Sequence, residues 1–445
     1  MRNARNPLKA TAVRWVVLGL VSSIYFVTYI DRVNISIAAP TISTELGIGP
    51  AVMGLIFSAF SVPYTLLQMP GGWLADRIGP RRALSGMGLL WAFSTALTAV
   101  PASAVGLAVA RLGVGLAEGG AFPAATRAFT AWILSARRGL AQGLPHSFAR
   151  LGGAAAPPVV VALMLAYGWR MAFVALGGVS LLLMLVWAWF YRDRPRDHWL
   201  TNPAEVELLE REASAPVADA RPNATPWRAL LRRMWPVTVV DFCYGWSLWV
   251  FLTWLPSYLS SGRHLALEQL ALFASLPLLG GMFGDAIGGV LTDWLWRRDH
   301  RRLARAGQSA VGLLLSLAFV VPAVSVASPV TAVWLLSASF FALEISNAPL
   351  WASAMDIGGS HAGVGAGMMN TGFGVAGIIS PFVFGALVQA TGTWSLPFLL
   401  SAVLLLAGAA VACLFIDPIA PLMSMQPSAL SGQEKPTEQL ILADS

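Results

Sequence analysis

Charged side chains are scarce over most of this chain. Asp, Glu, Lys and Arg make up 11% of its 445 residues, and 56% of the residues are hydrophobic. A soluble globular protein carries about 25% charged residues. A chain of this length would otherwise suggest two or three soluble domains, but it lacks the polar surface that they need. The composition, with a mean hydropathy of +0.66, therefore predicts an integral membrane protein.

Cysteine is almost absent as well. The chain has two, Cys243 and Cys413, each inside an apolar run, and their positions give no pairing framework. We expect both to be small, buried hydrophobic side chains.

Enzyme signatures are missing. The sequence contains no P-loop, no nucleophile elbow and no metal-ligand spacing among its five histidines. We therefore expect no enzymatic activity, no cofactor and no metal site. The net charge of +7 does not indicate a nucleic-acid partner, because Lys and Arg lie in short segments between apolar runs, where membrane proteins carry their cytoplasmic positive charge.

Long hydrophobic runs are what the sequence has instead. Twelve of them have the length of about 20 residues that crosses a bilayer as a helix. The first follows several basic residues, as in a signal peptide, but it continues too far and lacks a cleavage site, so we expect it to be retained. The predicted spans are 12–39, 52–74, 83–104, 106–130, 139–166, 169–191, 236–259, 267–294, 306–325, 330–355, 362–388 and 394–416.

One long polar segment separates the sixth span from the seventh. We therefore predict an all-α membrane protein with a six-helix bundle at 1–191, a cytoplasmic central loop at 192–235, a second six-helix bundle at 236–416 and a cytoplasmic tail at 417–445. The segments on one side of the membrane carry 23 Lys and Arg residues, and those on the other side carry two. By the positive-inside rule, both termini face the cytoplasm.

The two bundles are predicted to be pseudo-symmetric, because the sequence contains an internal repeat. GGWLAD at 71–76 recurs as GGVLTD at 288–293. Two parallel repeats with a binding site between them, near the bilayer midplane, form the plan of one class of transporters. Further matched positions are Glu118 with Glu344, Pro123 with Pro349, Gly139 with Gly363, Gly143 with Gly367, Gly153 with Gly377 and Pro157 with Pro381.

Several motifs resemble those of a known family. GGWLADRIGPRR after span two is similar to the loop motif of the major facilitator superfamily. YIDRVN in span one, RLGVGLAEGGAFP in span four, and FCYGW and FLTWLPSYL in span seven resemble the anion:cation symporter family. That family includes bacterial D-galactonate, hexuronate and glucarate permeases and animal sialin and vesicular glutamate transporters. The resemblance covers about residues 12–416 and implies the major facilitator fold and proton-coupled symport of a small organic anion.

Two arginines inside the spans are candidates for substrate binding. A charge within a membrane span is costly and usually functional. The guanidinium groups of Arg32 and Arg111 suit carboxylates, and an organic anion needs such a cation when it leaves water. The alternative is that each arginine only neutralises a nearby acid, Asp31 or Glu118. The resemblance favours the first interpretation, because both arginines match the family's substrate-binding positions.

Asp31 and Glu118 are the predicted proton-coupling acids. Arg111 and Glu118 are seven residues apart, which places them on one helix face at about 10 Å, a spacing that suits electrostatic coupling. The alternative is a structural ion pair. The resemblance points to both acids as coupling residues.

Polar residues in the same band of the membrane are predicted to line the substrate cavity. They are Tyr29, Tyr64, His146, Ser147, Asn370 and Thr371. His146 and Ser147 of span five correspond in the repeat to Asn370 and Thr371 of span eleven, which suggests opposite walls of one cavity. The alternative for each is hydrogen bonding between helices. His146 departs from the Asn or Ser that the family leads us to expect, and a histidine titrates near neutral pH.

The remaining charges in the spans have less specific interpretations. Asp241 lies near the cytoplasmic end of span seven and is expected to be solvated. Arg150, one turn after His146, either contacts a second carboxylate on the substrate or pairs with an acid. Glu344 and Asp285 are expected to be structural.

The repeated loop motif is predicted to clamp helix ends at the cytoplasmic face, without contacting substrate. Its residues are Gly72, Asp76, Arg77, Arg81 and Asp293.

The sequence therefore predicts a monomeric, multi-pass transporter of a bacterial inner membrane. Its partners are the lipid bilayer, protons and a small organic anion such as an aldonate, hexuronate or aldarate, carried by alternating access. Without an ATP site, the energy must come from an ion gradient. One alternative is an exchanger of organophosphates, but such exchangers use arginines in spans one and seven, and span seven has none here. Another is a non-transporting sensor, for which the 44-residue central loop is too small to be a signalling domain.

Overall fold

The computed structural model of the chain describes residues 10–133, 138–213, 227–358 and 362–417. Within these ranges the chain is helical and contains no β-strand. Short 3-10 or π-helical turns occur at Pro195–Asp197, Tyr258–Gly262 and Leu303–Gly307. The α-helices are α1 (Val13–Leu46), α2 (Pro50–Ile78), α3 (Pro80–Leu97), α4 (Ala104–Gly119), α5 (Ala121–Trp132), α6 (Arg138–Phe190), α7 (Pro203–Ala213), α8 (Trp227–Ser257), α9 (Leu267–Phe273), α10 (Ser275–Arg297), α11 (Gln308–Ser325), α12 (Pro329–Ile345), α13 (Asn347–Gly358), α14 (Ala362–Thr391) and α15 (Ser395–Phe415).

The predicted count of twelve spans agrees with these helices. Ten helical stretches in the described ranges are long and apolar enough to cross a membrane. One of them, within α6, contains two spans, because Gly168 breaks the helix with a φ of 79° and a ψ of 164°, a conformation that glycine adopts without steric cost. The twelfth span is α3. The first turn of this 18-residue helix contains Arg81 and Arg82, which lower its mean hydropathy below that of the other spans.

Several span boundaries differ from the prediction, and two of them show the reason. Helix α1 continues through Pro40 to Leu46 instead of ending at 39, and α8 begins at Trp227 instead of 236. Apolar runs mark only the part of a helix that lies in hydrocarbon. The backbone hydrogen bonds continue past that part into sequence such as Trp227–Trp235, which carries three arginines.

The prediction that both cysteines are buried is correct for one of them and wrong for the other. Cys243 is buried, whereas Cys413 is exposed on α15. A side chain on the lipid-facing side of an outer helix is exposed to hydrocarbon rather than packed, and an apolar run does not reveal which side that is.

The central segment is anchored to the start of the chain. Glu205 on α7 is fully buried and accepts hydrogen bonds from the backbone N–H groups of Val13, at 3.4 Å, and Arg14, at 3.2 Å. Its carboxylate also contacts the Thr11 hydroxyl and pairs with the Arg14 guanidinium at 3.1 Å. Glu205 therefore satisfies donors that the first turn of α1 leaves unpaired.

Aromatic packing holds the same segment against the ends of α5 and α6. The His198 ring stacks on Trp199 at 4.5 Å and meets the edges of Phe190 at 4.8 Å and Trp132 at 5.4 Å. Burial and the nearby Arg192 guanidinium lower the pKa of His198. We expect this histidine to be neutral at pH 7.

Glycines let several pairs of helices approach backbone to backbone. A Cβ at Gly115 on α4 would overlap the carbonyl oxygen of Phe60 on α2. Small residues at such contacts are typical of helix packing in membranes. The same kind of contact occurs at Gly152 with Phe26, Gly284 with Phe341, and Gly372 with Thr238.

Helices α1–α6 meet α8–α15 mainly along four helix pairs: α2 with α14, α6 with α10, α1 with α8, and α6 with α9. Where α2 begins and α14 ends the contact is close, since a Cβ at Gly385 would overlap the carbonyl oxygen of Pro50. The first group of helices (α1–α6) and the second group (α8–α15) correspond to the predicted bundles. The division at 191 and 236 stays a prediction.

The α4–α2 contact predicts a stability difference between two Gly→Ala variants. Gly115→Ala forces two backbones apart, and overpacking of this kind costs about 1–3 kcal/mol. Gly86→Ala in α3 meets nothing within 4 Å and gains helix propensity. Thermal unfolding of purified protein in detergent should therefore give a lower melting temperature for Gly115→Ala and an unchanged or higher one for Gly86→Ala. Equal melting temperatures would contradict the close approach.

Candidate functional site

Arg32 lies at the centre of a group of aromatic rings. Its side chain is 3% exposed, and its guanidinium carbon lies 4.7 Å from the ring centres of both Tyr29 and Tyr64. Phe60 and Phe122 follow at 5.3 and 5.6 Å. The rings come from α1, α2 and α5, so three helices build this surrounding. Ring faces attract a cation, and they leave the guanidinium edge available for a ligand.

Arg111 on α4 is the second buried cation. Its guanidinium carbon lies 4.9 Å from the ring centre of Phe60, so the two arginines share one ring. The backbone contact of Gly115 with Phe60, one turn further along α4, fixes this arrangement. Among the residues that the structure describes, Arg111 forms no ion pair, and its buried Nε has no hydrogen-bond partner.

Glu118 pairs with Arg32 and not with Arg111. Its Oε2 lies 3.0 Å from Arg32 Nη2, and both side chains are buried. The sequence left open a structural ion pair between Arg111 and Glu118, and the structure shows Glu118 paired with Arg32 instead. Neighbouring residues on a helix do not face each other, and two helical turns separate Arg111 from Glu118. Packing of α1 against α4 and α5 brings the distant pair together. The second oxygen of Glu118 is buried and has no hydrogen-bond partner among the described residues.

Asp31 is buried among neutral partners. Its Oδ2 accepts a hydrogen bond from the Ser180 hydroxyl at 2.7 Å, and its Oδ1 accepts one from the Asn34 amide at 3.3 Å. No Lys, Arg or His lies within ion-pair distance of it in the described part of the chain. Sequence reasoning missed Ser180, whose only signal is a hydroxyl within an apolar run.

The four polar positions related by the repeat do not meet. Ser147 and Thr371 are both exposed, and each hydroxyl donates at 3.0 Å to a carbonyl of its own helix, at Gly143 and Gly367. Asn370 donates at 2.9 Å to Gln68 on α2, a partner that the sequence did not suggest. These hydrogen bonds do not join the two pairs of positions on α6 and α14, so their placement on opposite walls of one cavity stays a prediction.

His146 lies on the same side of α6 as Arg150, one turn away. Its ring is exposed and meets the edge of Tyr25 at 5.5 Å. Tyr25 in turn contacts Phe122, at 4.3 Å, and Phe122 is one of the rings that surround Arg32.

A second buried ion pair joins the two groups of helices. Arg150 Nη2 on α6 lies 3.0 Å from Glu344 Oε2 on α12, so Arg150 pairs with an acid, and its contact with a second carboxylate of the substrate stays a prediction. Tyr244 on α8 donates its hydroxyl to the same Glu344 oxygen at 3.0 Å. Asp285 accepts from the Asn347 amide at 2.8 Å.

Asp241 is not solvated, and the expectation was wrong. It is buried and accepts a hydrogen bond from the backbone N–H of Phe373 at 3.3 Å. Close packing of α8 on α14, where Gly372 faces Thr238, covers this carboxyl.

The loop-motif residues lie at helix ends. Arg81 donates to the carbonyl of Ala188 at the end of α6, at 2.8 and 2.6 Å, and its backbone N–H donates to Asp193 at 2.8 Å. Arg77 lies over the Trp73 ring, at 5.3 Å. A Cβ at Gly72 would lie 3.2 Å from Pro123. Asp293 is exposed, and the Asp76 side chain lies outside the described residues.

No group of three or more His, Cys, Asp or Glu residues arranged to hold a metal occurs in the described ranges.

Comparison with known sequences places the chain among transporters. The family profile described as Major Facilitator Superfamily matches residues 21–381. A probable sulfoacetate transporter of Cupriavidus necator is 52% identical over 91% of this chain and 94% of its own length. A probable galactarate/D-glucarate transporter of Bacillus subtilis is 29% identical over 87% and 88%. The chloroplastic ascorbate transporter of Arabidopsis thaliana is 30% identical over 90% and 74%.

A solved structure shares the fold. It is described as a bacterial homolog to the human lysosomal transporter Spinster in an inward-facing and unoccupied conformation. Its TM-score is 0.76 at 19% identity, over 92% of this chain and 98% of the other.

The two arginines should differ in their effect on stability. Arg32→Ala leaves the buried Glu118 without its countercharge, which costs about 3–5 kcal/mol. Arg111→Ala breaks no ion pair among the described residues, so its melting temperature should stay close to that of the wild type. Thermal unfolding in detergent measures both, and Arg32→Ala/Glu118→Gln should recover stability lost by the single variant. A loss for Arg111→Ala as large as that for Arg32→Ala would rule out this arrangement.

Proposed function

Because this chain belongs to the Major Facilitator Superfamily and is a multi-pass membrane transporter of organic anions, we propose that it is a proton-coupled symporter. In this proposal it imports a small anion across a bacterial inner membrane by alternating access between the two groups of helices. Both termini face the cytoplasm in this orientation, since the segments on that side carry 23 of the Lys and Arg residues.

The observation that carries the proposal is an imbalance of buried charge. Arg32 and Arg111 approach the same Phe60 ring, but only Glu118 pairs with either of them in the described ranges. A buried cation without a partner is costly, and an anionic ligand removes that cost. The buried guanidinium groups beside an aromatic surface suit a carboxylate or a sulfonate, since both accept paired N–H donors.

The surroundings favour a compact anion over a sugar acid. A sugar acid brings several hydroxyls, each of which needs a hydrogen-bond partner when it is buried. The hydroxyls of Ser147 and Thr371 donate to their own helices and the Asn370 amide to Gln68, while aromatic rings surround Arg32. The 52% identity to a probable sulfoacetate transporter supports the same choice. We therefore propose a short anion of the sulfoacetate kind as the substrate.

Competition for Arg32 supplies the coupling. Glu118 is paired with Arg32. An arriving anion competes with Glu118 for that guanidinium, and protonation of Glu118 removes the competitor while keeping the buried charge low. Binding of the anion and of the proton therefore favour each other. Release follows on the cytoplasmic side, when Glu118 loses its proton and recaptures Arg32.

Asp31 is the second coupling acid in the proposal. Its hydrogen bonds come from neutral groups, Ser180 and Asn34, and a buried carboxylate without a countercharge is costly. A proton or a moving cation must offset this cost at some stage of the cycle.

Uptake should depend on a proton gradient and not on sodium. Proteoliposomes with an acidic outside should accumulate sulfoacetate in sodium-free buffer, because each turnover carries a proton inward. Glucarate, galactonate and glucuronate, tested by counterflow in the same preparation, should be poorer substrates. Arg111→Ala should lose affinity by about two to four decades.

Uptake that requires sodium and ignores pH would refute proton coupling. A clear preference for any of the three sugar acids would refute the compact substrate and leave the transport mechanism standing.

Glu118→Gln should separate exchange from accumulation. The amide mimics the protonated acid, so Arg32 is released and the anion still binds. Exchange of internal for external substrate should persist, because the loaded carrier reorients without losing a proton. Gradient-driven accumulation should fail, and the weakening of binding with rising pH that Glu118 causes in the wild type should disappear. Counterflow and gradient-driven uptake on one preparation measure both.

Retained accumulation would remove Glu118 from the coupling role and leave Asp31 as the candidate. Loss of both activities in folded protein would instead assign Glu118 to structure.

A further inference from the structure

We propose that Arg150, Glu344 and Tyr244 form a second anion subsite, at which a second anionic group of the substrate displaces Glu344 from Arg150 and Glu344 takes up a proton. This inference rests on the proposed function and adds to it a preference for dianions over monoanions. The subsite joins α6, α8 and α12, and it couples one further proton to each dianion.

The first argument is that Glu344 repeats the circumstances of Glu118. The two acids are counterparts in the internal repeat, and both are fully buried. Each has one oxygen 3.0 Å from an arginine, Arg32 for Glu118 and Arg150 for Glu344. Each has its other oxygen, Oε1, buried without a hydrogen-bond partner among the described residues. A proton on that oxygen is compatible with either site, because no donor occupies it.

The second argument is that Arg150 can be reached. The Arg150 side chain is 15% exposed, whereas that of Glu344 is 0% exposed. A solute therefore approaches this ion pair from the arginine side. On α6, His146 is exposed one turn before Arg150, so the same helix face is open on that side.

The third argument is that Tyr29 places Arg150 next to the first site. The Tyr29 ring lies 4.7 Å from the guanidinium carbon of Arg32. A Cβ at Gly153, one turn after Arg150, would lie 3.6 Å from Tyr29 Cδ1. His146, one turn before Arg150, meets Tyr25, one turn before Tyr29, at 5.5 Å. Helices α1 and α6 therefore run in register here, and Arg150 lies at the level of Tyr29. A short dianion can therefore place one anionic group at Arg32 and the other at Arg150, on either side of the Tyr29 ring.

The groups that face Glu344 come from three helices. Arg150 and, further away, His146 belong to α6, Tyr244 to α8 and Asp285 to α10. Helix α11 contributes no titratable residue. When a dianion takes Arg150, a charged Glu344 would keep only the Tyr244 hydroxyl and would face Asp285. Uptake of one proton removes this cost and leaves Tyr244 hydrogen-bonded to a neutral acid. Protons at Glu118 and Glu344 then balance the two charges of one dianion, and any proton that Asp31 carries adds to that count.

The test compares two probes of nearly equal size. Sulfoacetate carries two negative charges, and sulfoacetamide replaces its carboxylate by a neutral amide. Calorimetry in buffers of different ionisation enthalpy gives the affinity and the protons taken up on binding. For the wild type we expect about one more proton with sulfoacetate than with sulfoacetamide, because proton uptake follows the linkage between binding and ionisation.

The variant is Arg150→Met/Glu344→Gln, which removes both charges and leaves no buried ion unpaired. Its affinity for sulfoacetate should fall about tenfold to a hundredfold more than its affinity for sulfoacetamide, and the extra proton should disappear. The matched control is Arg170→Met/Glu45→Gln, which removes an exposed ion pair and should keep the preference for the dianion and the extra proton.

Equal losses of affinity for the two probes in the Arg150→Met/Glu344→Gln protein would show that the pair only holds helices together, and would overturn the subsite. Equal affinities and equal proton counts for the two probes in the wild type would overturn it as well. A wild-type protein that transports a sugar acid and binds neither probe would overturn the proposed substrate, and this inference with it.

Discussion

A charge buried among apolar helices must have a partner, and the site depends on this constraint. Glu118 pairs with Arg32, and the rings around Arg32 shield the pair from water. Arg111, on the same Phe60 ring, has no acid of its own in the described part of the chain. An anion therefore completes a charge balance that the protein leaves open. The same imbalance explains why the proton and the anion assist each other, since each changes what Arg32 and Arg111 require.

The internal repeat contains two equivalent buried acids, Glu118 and Glu344, whose ion pairs respond differently when the two groups of helices move. Glu118 and Arg32 both belong to the first group of helices, so their ion pair can persist while the groups move relative to each other. Glu344 and Arg150 lie in different groups. Any motion that separates α6 from α12 must break that pair, and the free charges then need a proton or a ligand. One sequence repeat thus supplies both an ion pair inside one group and an ion pair between groups.

Sequence patterns predicted the helices well and the partners poorly. Apolar runs identify membrane spans because hydrocarbon excludes polar residues. Gly168 allows the turn that divides α6 into two spans. Arg32 and Arg111 stood out because charges are rare in spans. Their partners depend on the rotation of each helix about its axis and on packing between distant helices. Hence the pairing of Glu118 with Arg32 was not foreseen, and Asp241 was expected in water. The partners of Asp31 and Asn370, which are Ser180 and Gln68, were missed.

The cap that Glu205 places on α1 determines how the central segment moves. Its carboxylate binds the first turn of α1 through backbone N–H groups and Arg14, and His198 packs against the ends of α5 and α6. Helix α7 is therefore a rigid extension of the first group of helices. A spectroscopic label on its exposed Leu208 would therefore report the tilt of the first group of helices, although α7 lies outside the predicted membrane spans.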